Sequence, residues 1–216
     1  MSGTIGVMSG EFIHADFAIA LFHHQAPPGT RLVWPKGVDI VGNMNTMVRK
    51  MHGEWLWVMG TDHVMDFDLL QRLLAHDVDV VVPLCLKRSP PYDPVVYSHQ
   101  NSKGEYVGYH DLPEHGLVPI HAAGTAGMLI RRHVLDAFED PVFESHGGLN
   151  EDLTFCGKVR EAGFGIWCDV DAPLGHIGQI SVWPKWKGDE WAIDLHLGNG
   201  EIMPIRRIVK PDLVTS

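Results

Sequence analysis

The chain has 216 residues, 45% of them hydrophobic and 20% charged, with a formal net charge of −10. That composition suits one globular domain with a sizeable core, and the acidic balance argues against a protein whose affinity comes from neutralising a nucleic-acid backbone. No stretch reaches the roughly 18 consecutive apolar residues of a membrane helix. The three cysteines, Cys85, Cys156 and Cys168, have no CxxC spacing, which argues against a disulfide framework or a zinc knuckle. With no basic and then apolar leader pattern at the N-terminus, the expected compartment is the reducing cytoplasm.

In chain order, TIGVM (4–8) is short, apolar and β-branched, and reads as a first strand. HADFAIALFHH (14–24) has helical apolar spacing and stops at APPGT. RLVWP (31–35) predicts a second strand. DIVGNMNTMVRKMH (39–52) predicts a helix with Asp39 at its N-cap and Arg49 and Lys50 in its last turns. EWLWVM (54–59) is a third strand, FDLLQRLLAH (67–76) a helix capped by Asp66, and DVDVVVPLCL (77–86) a fourth strand. Strands alternating with helices imply βαβ units and a parallel sheet covered on both faces.

The pattern breaks from Lys87 to Ile120, where VVYS and YVGYH suggest a hairpin or a small second sheet. GMLIRRHVLDAF (127–138) restarts a strand-to-helix unit. EDLTFCGKVREAG (151–163) is a helix ended by Gly163, and FGIWCDV (164–170) is a last core strand. The tail from Ser181 carries Trp183, Trp186 and Trp191 with little regular pattern.

Two places carry chemistry. Thr61, Asp62 and His63 follow the third strand, and in an open α/β sheet ligands bind beyond the carboxyl ends of the strands. Asp62 either caps a helix or holds a divalent cation that binds phosphate oxygens; Asp66 is better placed for the cap. Far along the chain, Glu151 and Asp152 open a helix, where the macrodipole favours negative charge. His176 follows the last strand between two glycines, from where the chain can return to the edge that carries Asp62.

The order WVMGTDH, GTAGMLIRRHVL, NEDLTFCGKVREAGFGIWCDVD and LGHIG resembles the GT-A fold glycosyltransferases, especially the family-2-like group of short bacterial and phage enzymes. The likeness runs from the first strand to about Gly178. It implies a Rossmann-like, mostly parallel sheet flanked by helices with a small additional β segment, and a catalytic domain over residues 1–180. The tryptophans of the tail over 181–216 could stack on a sugar ring, pin the tail onto the body or form a subunit contact, and the reading taken is a tail packing on or near the active site. The likeness also implies transfer of a hexose from a nucleotide-diphosphate donor to the hydroxyl of a glycan, small molecule or other acceptor. A modified DNA base ranks lower as acceptor, given the acidic charge.

On that likeness Asp62 matches the last aspartate of the family's DxD-type motif and is the principal ligand of Mn²⁺ or Mg²⁺, with His176 as the late histidine ligand. An Asp–His pair suits Mn²⁺ better than Ca²⁺. The motif's first acidic position falls on Gly60, a departure that His63 or water would have to fill. Glu151-Asp152 looks like the family's ED motif, in which the aspartate of inverting members deprotonates the acceptor. In a retaining enzyme Asp152 would only bind the acceptor. The loop VMSGE offers Ser9 and Glu11 to the nucleotide, the second helix offers Asp39 and Asn43, and Thr61 joins Asp62. Gly42 stands where the family often has an arginine. GTAG (124–127) resembles the small-residue segment that lets donor and acceptor approach the backbone.

Two rival readings remain: a nucleotidyltransferase, disfavoured because VMSGEF lacks any Lys or Arg, and a non-catalytic nucleotide- or sugar-binding module of the same fold, kept open by Gly60. The cysteines sit in apolar contexts and read as buried thiols. His14, His23 and His24 read as surface or packing residues.

Overall fold

The computed structural model describes residues 1–178, 180–187, 190–197 and 201–205. The elements in order are β1 (Thr4–Met8), α1 (Ala15–His23), β2 (Arg31–Val33), α2 (Ile40–Lys50), β3 (Trp55–Gly60), β4 (His63–Val64), α3 (Leu69–Ala75), β5 (Val80–Cys85), β6 (Val96–Gln100) and β7 (Tyr106–Gly108). They continue with β8 (Leu117–Pro119), β9 (Ala122–Ala123), β10 (Leu129–Arg131), α4 (Arg132–Leu135), α5 (Glu151–Glu161), β11 (Ile166–His176), β12 (Ile180–Lys187), β13 (Glu190–Leu197) and β14 (Ile202–Ile205).

The main sheet has eight strands in the order β2-β1-β3-β10-β5-β11-β4, with β8 also on β11. Strands β1, β2, β3, β5 and β11 point one way, while β4, β8 and β10 run against them. The carboxyl ends of those five parallel strands therefore lie along one edge. β10 enters the sheet from that edge through the GTAG turn and runs back between β3 and β5, so it is antiparallel to both.

Period-two alternation sorts β3 between two cores. Leu56 and Val58 face Met44 and Met47 of α2 and Phe155 of α5. Trp55, Trp57 and Met59 face Phe17 of α1 and Leu69 and Leu73 of α3. The helices thus cover both faces, as their apolar spacing predicts. Cys156 and Cys168 lie in these cores, where burial pushes each thiol up to about 12.

Buried Asn45 of α2 ties the two halves of one core together. Its Oδ1 accepts from the Phe143 amide at 2.9 Å, and its Nδ2 donates to the Phe143 carbonyl at 2.8 Å. Asn45→Ala orphans both backbone groups, and the expected loss is about 2–4 kcal/mol, read from the urea denaturation midpoint.

Three expectations need correction. Asp66 does not cap α3: the helix begins at Leu69, and the Asp66 carboxylate instead accepts from Arg72 at 3.1 Å. The last core strand does not stop at 170. β11 runs on to His176 through an irregularity between Asp169 and Pro173, after which Pro173 and Leu174 rejoin β5. Finally, the tail is not pattern-free, because β12, β13 and β14 form an antiparallel sheet. Trp183 is exposed, with its ring 5.5 Å from that of His196. The side chains of Trp186 and Trp191 lie outside the described residues. The expected hairpin in the middle segment forms from β6 and β7, with β9 on the other side of β6.

Candidate active site

From Gly60 the chain turns through Thr61 and Asp62 into β4, which pairs with the end of β11: His63 opposite His176, and Val64 opposite Gly175. This two-residue ladder brings together groups 114 positions apart in sequence. Asp62 Oδ2 lies 3.3 Å from His176 Nε2 and 3.0 Å from Arg88 Nη1, and Oδ1 lies 3.2 Å from His63 Nδ1. The His63 and His176 rings stack at 4.6 Å.

The His63 contact holds the Asp62 carboxyl well below the usual carboxylate range, against burial, which acts to raise it. For His63 itself, burial acts to lower the pKa, but the Asp62 carboxylate and the Cys85 sulfur outweigh it and the net shift is upward. His176 Nδ1 lies 2.9 Å from the Leu86 carbonyl, which can only accept, so Nδ1 carries the proton. Its Nε2, facing Asp62, is the nitrogen left to take a cation or a second proton. The backbone fastens the corner as well, since the Ile177 amide donates to the Asp62 carbonyl at 2.8 Å.

Gly60 is part of this packing. A Cβ there would stand 2.8 Å from Asp62 Oδ1 and 3.1 Å from His63 Nδ1. The position that resembles the first acid of a DxD motif is therefore filled by its neighbours' side chains. A cavity of about 300 Å³ opens beside His176, lined in part by Lys87, Arg88, Tyr92, Ile180 and Leu197. Ile180 and Leu197 belong to the tail sheet, so the tail borders this site.

Backbone hydrogen bonds lead from here to Gly124 of the GTAG turn. The Cys85 carbonyl accepts from Val95, and the Val95 carbonyl accepts from Gly124 at 3.0 Å. The Gly124 position is close-packed, since a Cβ there would stand 2.6 Å from Val95 Cγ1 and 3.6 Å from Asp152 Oδ2. Asp152 lies in the first turn of α5, and its Oδ1 accepts from the Leu153 amide at 2.7 Å. Burial raises its pKa, and the Glu151 charge adds to that rise.

In sequence the chain matches no family model and no curated protein. Among solved structures it is similar to A197 from STIV, with a TM-score of 0.53, 11% identity and 96% of each chain covered. It is similar to S. aureus TarS 1-349, with a TM-score of 0.51, 12% identity, 81% of this chain and 60% of that chain covered. It is also similar to GalNAc-T7 with UDP, GalNAc and Mn²⁺, with a TM-score of 0.53, 11% identity, 81% of this chain and 44% of that chain covered.

The chain has a GT-A-like fold.

TarS and GalNAc-T7 are glycosyltransferases, but at these identities the likeness is one of fold, and roles have to be argued from geometry. Within the GT-A-like fold, Asp62 and His176 meet, while Asp152, preceded by Glu151, lies beside the GTAG turn. Thr61 is half-buried in the turn beside Asp62. The remaining predicted residues cluster at the ends of β1 and β2. Ser9 accepts from Trp34 Nε1 at 2.7 Å, and buried Asn43 donates to the Gly37 carbonyl at 3.0 Å. Both have structural work in this arrangement. Asp39 is the N-cap of α2, accepting from the Gly42 amide at 2.9 Å. A Cβ at Gly42 would lie 2.2 Å from the Asp39 carboxylate, so the cap and the absence of an arginine there go together. Glu11 is exposed on the loop after β1.

Two neighbours of the site escape the sequence reading. Arg88 pairs with Asp62, and Cys85 lies within reach of both imidazoles. The signal was the basic pair in PLCLKRSPP, immediately past the end of β5.

Proposed function

We propose that the chain is a metal-dependent hexosyltransferase that moves a sugar from a nucleotide-diphosphate donor to an acceptor hydroxyl with inversion. The observation that carries the reading is the meeting of the Asp62 carboxylate and the His176 imidazole at the carboxyl edge of a GT-A-like sheet. The donor set fits a divalent transition ion: one carboxylate held ionised, and one imidazole whose second nitrogen is anchored on a backbone carbonyl, as ligand histidines generally are. Asp62 and His176 would hold Mn²⁺, or Mg²⁺. When bound, that ion stabilises the charge developing on the departing nucleoside diphosphate.

The protein's own groups supply the rest. Lys87 and Arg88 give the adjoining cavity a basic rim for phosphate oxygens, and exposed Arg88 turns from Asp62 towards them when the donor arrives. The loops carrying Ser9, Glu11, Asp39, Asn43 and Thr61 face the nucleotide. Asp152 takes the acceptor proton, and Glu151 orients it. Residues 1–180 act as the catalytic domain, and the tail from 181 closes the donor side. Free Cys85, Cys156 and Cys168 support a reducing, cytoplasmic setting. Among the described residues no helix is long and apolar enough to cross a membrane.

Hydrolysis and transfer measured with UDP- and GDP-sugars, with and without Mn²⁺, test the reading. Turnover that needs Mn²⁺ supports it, and donor binding without turnover under any metal condition replaces it with the binding-module reading. The Arg88–Asp62 pair favours that second reading, because a guanidinium already neutralises the carboxylate without any metal. The packing around Gly60 gives a further expected result. Gly60→Asp, although it restores a DxD sequence, forces a side chain into Asp62 and His63. It should weaken Mn²⁺ affinity about tenfold or more, measured by calorimetry.

A further inference from the structure

The two imidazoles that touch Asp62 belong to a second donor group with Cys85. His63, Cys85 and His176 each present one ligand atom, all within 4.8 Å of one another, and the group does not include the Asp62 carboxylate. His63 and Cys85 are almost fully buried, with 5% and 3% exposure. His63 Nε2 is buried with no hydrogen-bond partner. An orphaned imidazole nitrogen in a protein interior is costly and calls for a partner.

The ring orientations are already set for ligation. His63 Nδ1 faces the Gly60 carbonyl at 3.3 Å and Asp62 Oδ1 at 3.2 Å, both acceptors, so Nδ1 keeps its proton and Nε2 is the nitrogen that would give up its own to bind an ion. His176 is fixed in the same sense by the Leu86 carbonyl. Two imidazoles oriented from behind and a thiol form a soft nitrogen–sulfur set, which selects zinc-like ions over Mg²⁺ or Mn²⁺. Tetrahedral zinc, with bonds of about 2.0–2.3 Å, separates its ligand atoms by roughly 3.3–3.7 Å. Small side-chain movements inward reach that spacing from the present one.

We propose that His63, Cys85 and His176 form a zinc-binding site, and that its occupation withdraws His176 from Asp62. His176 has only Nε2 to give, because Nδ1 is spent on Leu86, so it can serve one ion at a time. Binding displaces the Cys85 thiol proton and the His63 Nε2 proton, and both pass to solvent. The site stands independently of the glycosyltransferase reading. Only its competition with an ion at Asp62 rests on that reading.

Cobalt(II) is the probe, because thiolate ligation gives it a sulfur-to-metal charge-transfer absorption in the near ultraviolet. Wild-type protein titrated with Co²⁺ should develop that band, and one equivalent of Zn²⁺ should bleach it. Cys85→Ser and Cys85→Ala, with metal-free melting curves confirming that both fold, should lack it. No band in the wild type, or a band that survives in both variants, overturns the site. Competition is read separately by calorimetry of UDP binding in Mn²⁺. Zn²⁺ should weaken that binding about tenfold or more in the wild type and not in Cys85→Ser, and an equal effect on both overturns the exclusion. If UDP does not bind with Mn²⁺ at all, the donor-site reading fails while the cobalt band still decides this one.

Discussion

Asp62→Ala is expected to lower sugar transfer by on the order of 100-fold or more, since a catalytic metal is worth several kcal/mol of transition-state charge stabilisation. The carboxylate stands among three cationic or protonatable groups, His63, Arg88 and His176. Its removal takes away the hard oxygen donor and leaves Arg88 free in the basic rim. Calorimetry should therefore show loss of Mn²⁺-dependent UDP binding, with weak metal-independent binding retained. Asp62→Asn keeps the shape and separates charge from packing. The same carboxyl predicts a stability signature. Its folded pKa is depressed, so its contribution is present above the unfolded value of 3.8 and lost as pH falls towards the folded one. On acidification below about pH 4, wild type should lose more stability than Asp62→Asn. Parallel denaturation curves for the two proteins across that range would show that Asp62 is not held by its neighbours in solution, and full Mn²⁺-dependent transfer in Asp62→Ala would remove it from the catalytic site.

The parts of the fold visible in sequence were those with a long, clean period. β1, β3 and β5 are apolar runs buried on both faces, α2 shows its Asp39 cap and its basic last turn, and α5 shows its end before Gly163. What stayed hidden was short or interrupted. β4 has two residues and no pattern of its own, yet it is the element that joins Asp62 to His176. β11 carries Asp169, Asp171 and Pro173 across its irregularity, so the alternation that identifies a strand fails midway. Asp169 goes to His76 and Asp171 to His115, pairings across 93 and 56 positions that local reading cannot see. The meeting of Asp62 with His176 could be argued because each lies at the carboxyl end of a parallel strand, and those ends must share an edge. Arg88 and Cys85 could not, because an arginine past a strand and a buried cysteine are common in any α/β protein, and only the third dimension puts them beside that pair.

Asp152→Asn should cut transfer by about 10²- to 10⁴-fold, the usual worth of a positioned general base, while UDP binding in Mn²⁺ stays within a few-fold of wild type. The reason lies in where the carboxyl sits. α5 holds it in its first turn, and the Leu153 amide fixes Oδ1, which leaves Oδ2 as the oxygen able to meet a hydroxyl. Burial and the neighbouring Glu151 raise its pKa, which strengthens it as a base but requires a higher pH to ionise it. The active form is the carboxylate, so kcat/KM for the acceptor should fall as pH drops through a value above the ordinary 3.8, and that acid limb should vanish from the residual rate of Asp152→Asn. A structural role alone would lower stability and leave the shape of the pH profile unchanged. If Asp152→Asn transfers within a few-fold of wild type, the proton goes elsewhere, and inversion through this carboxylate is lost with it.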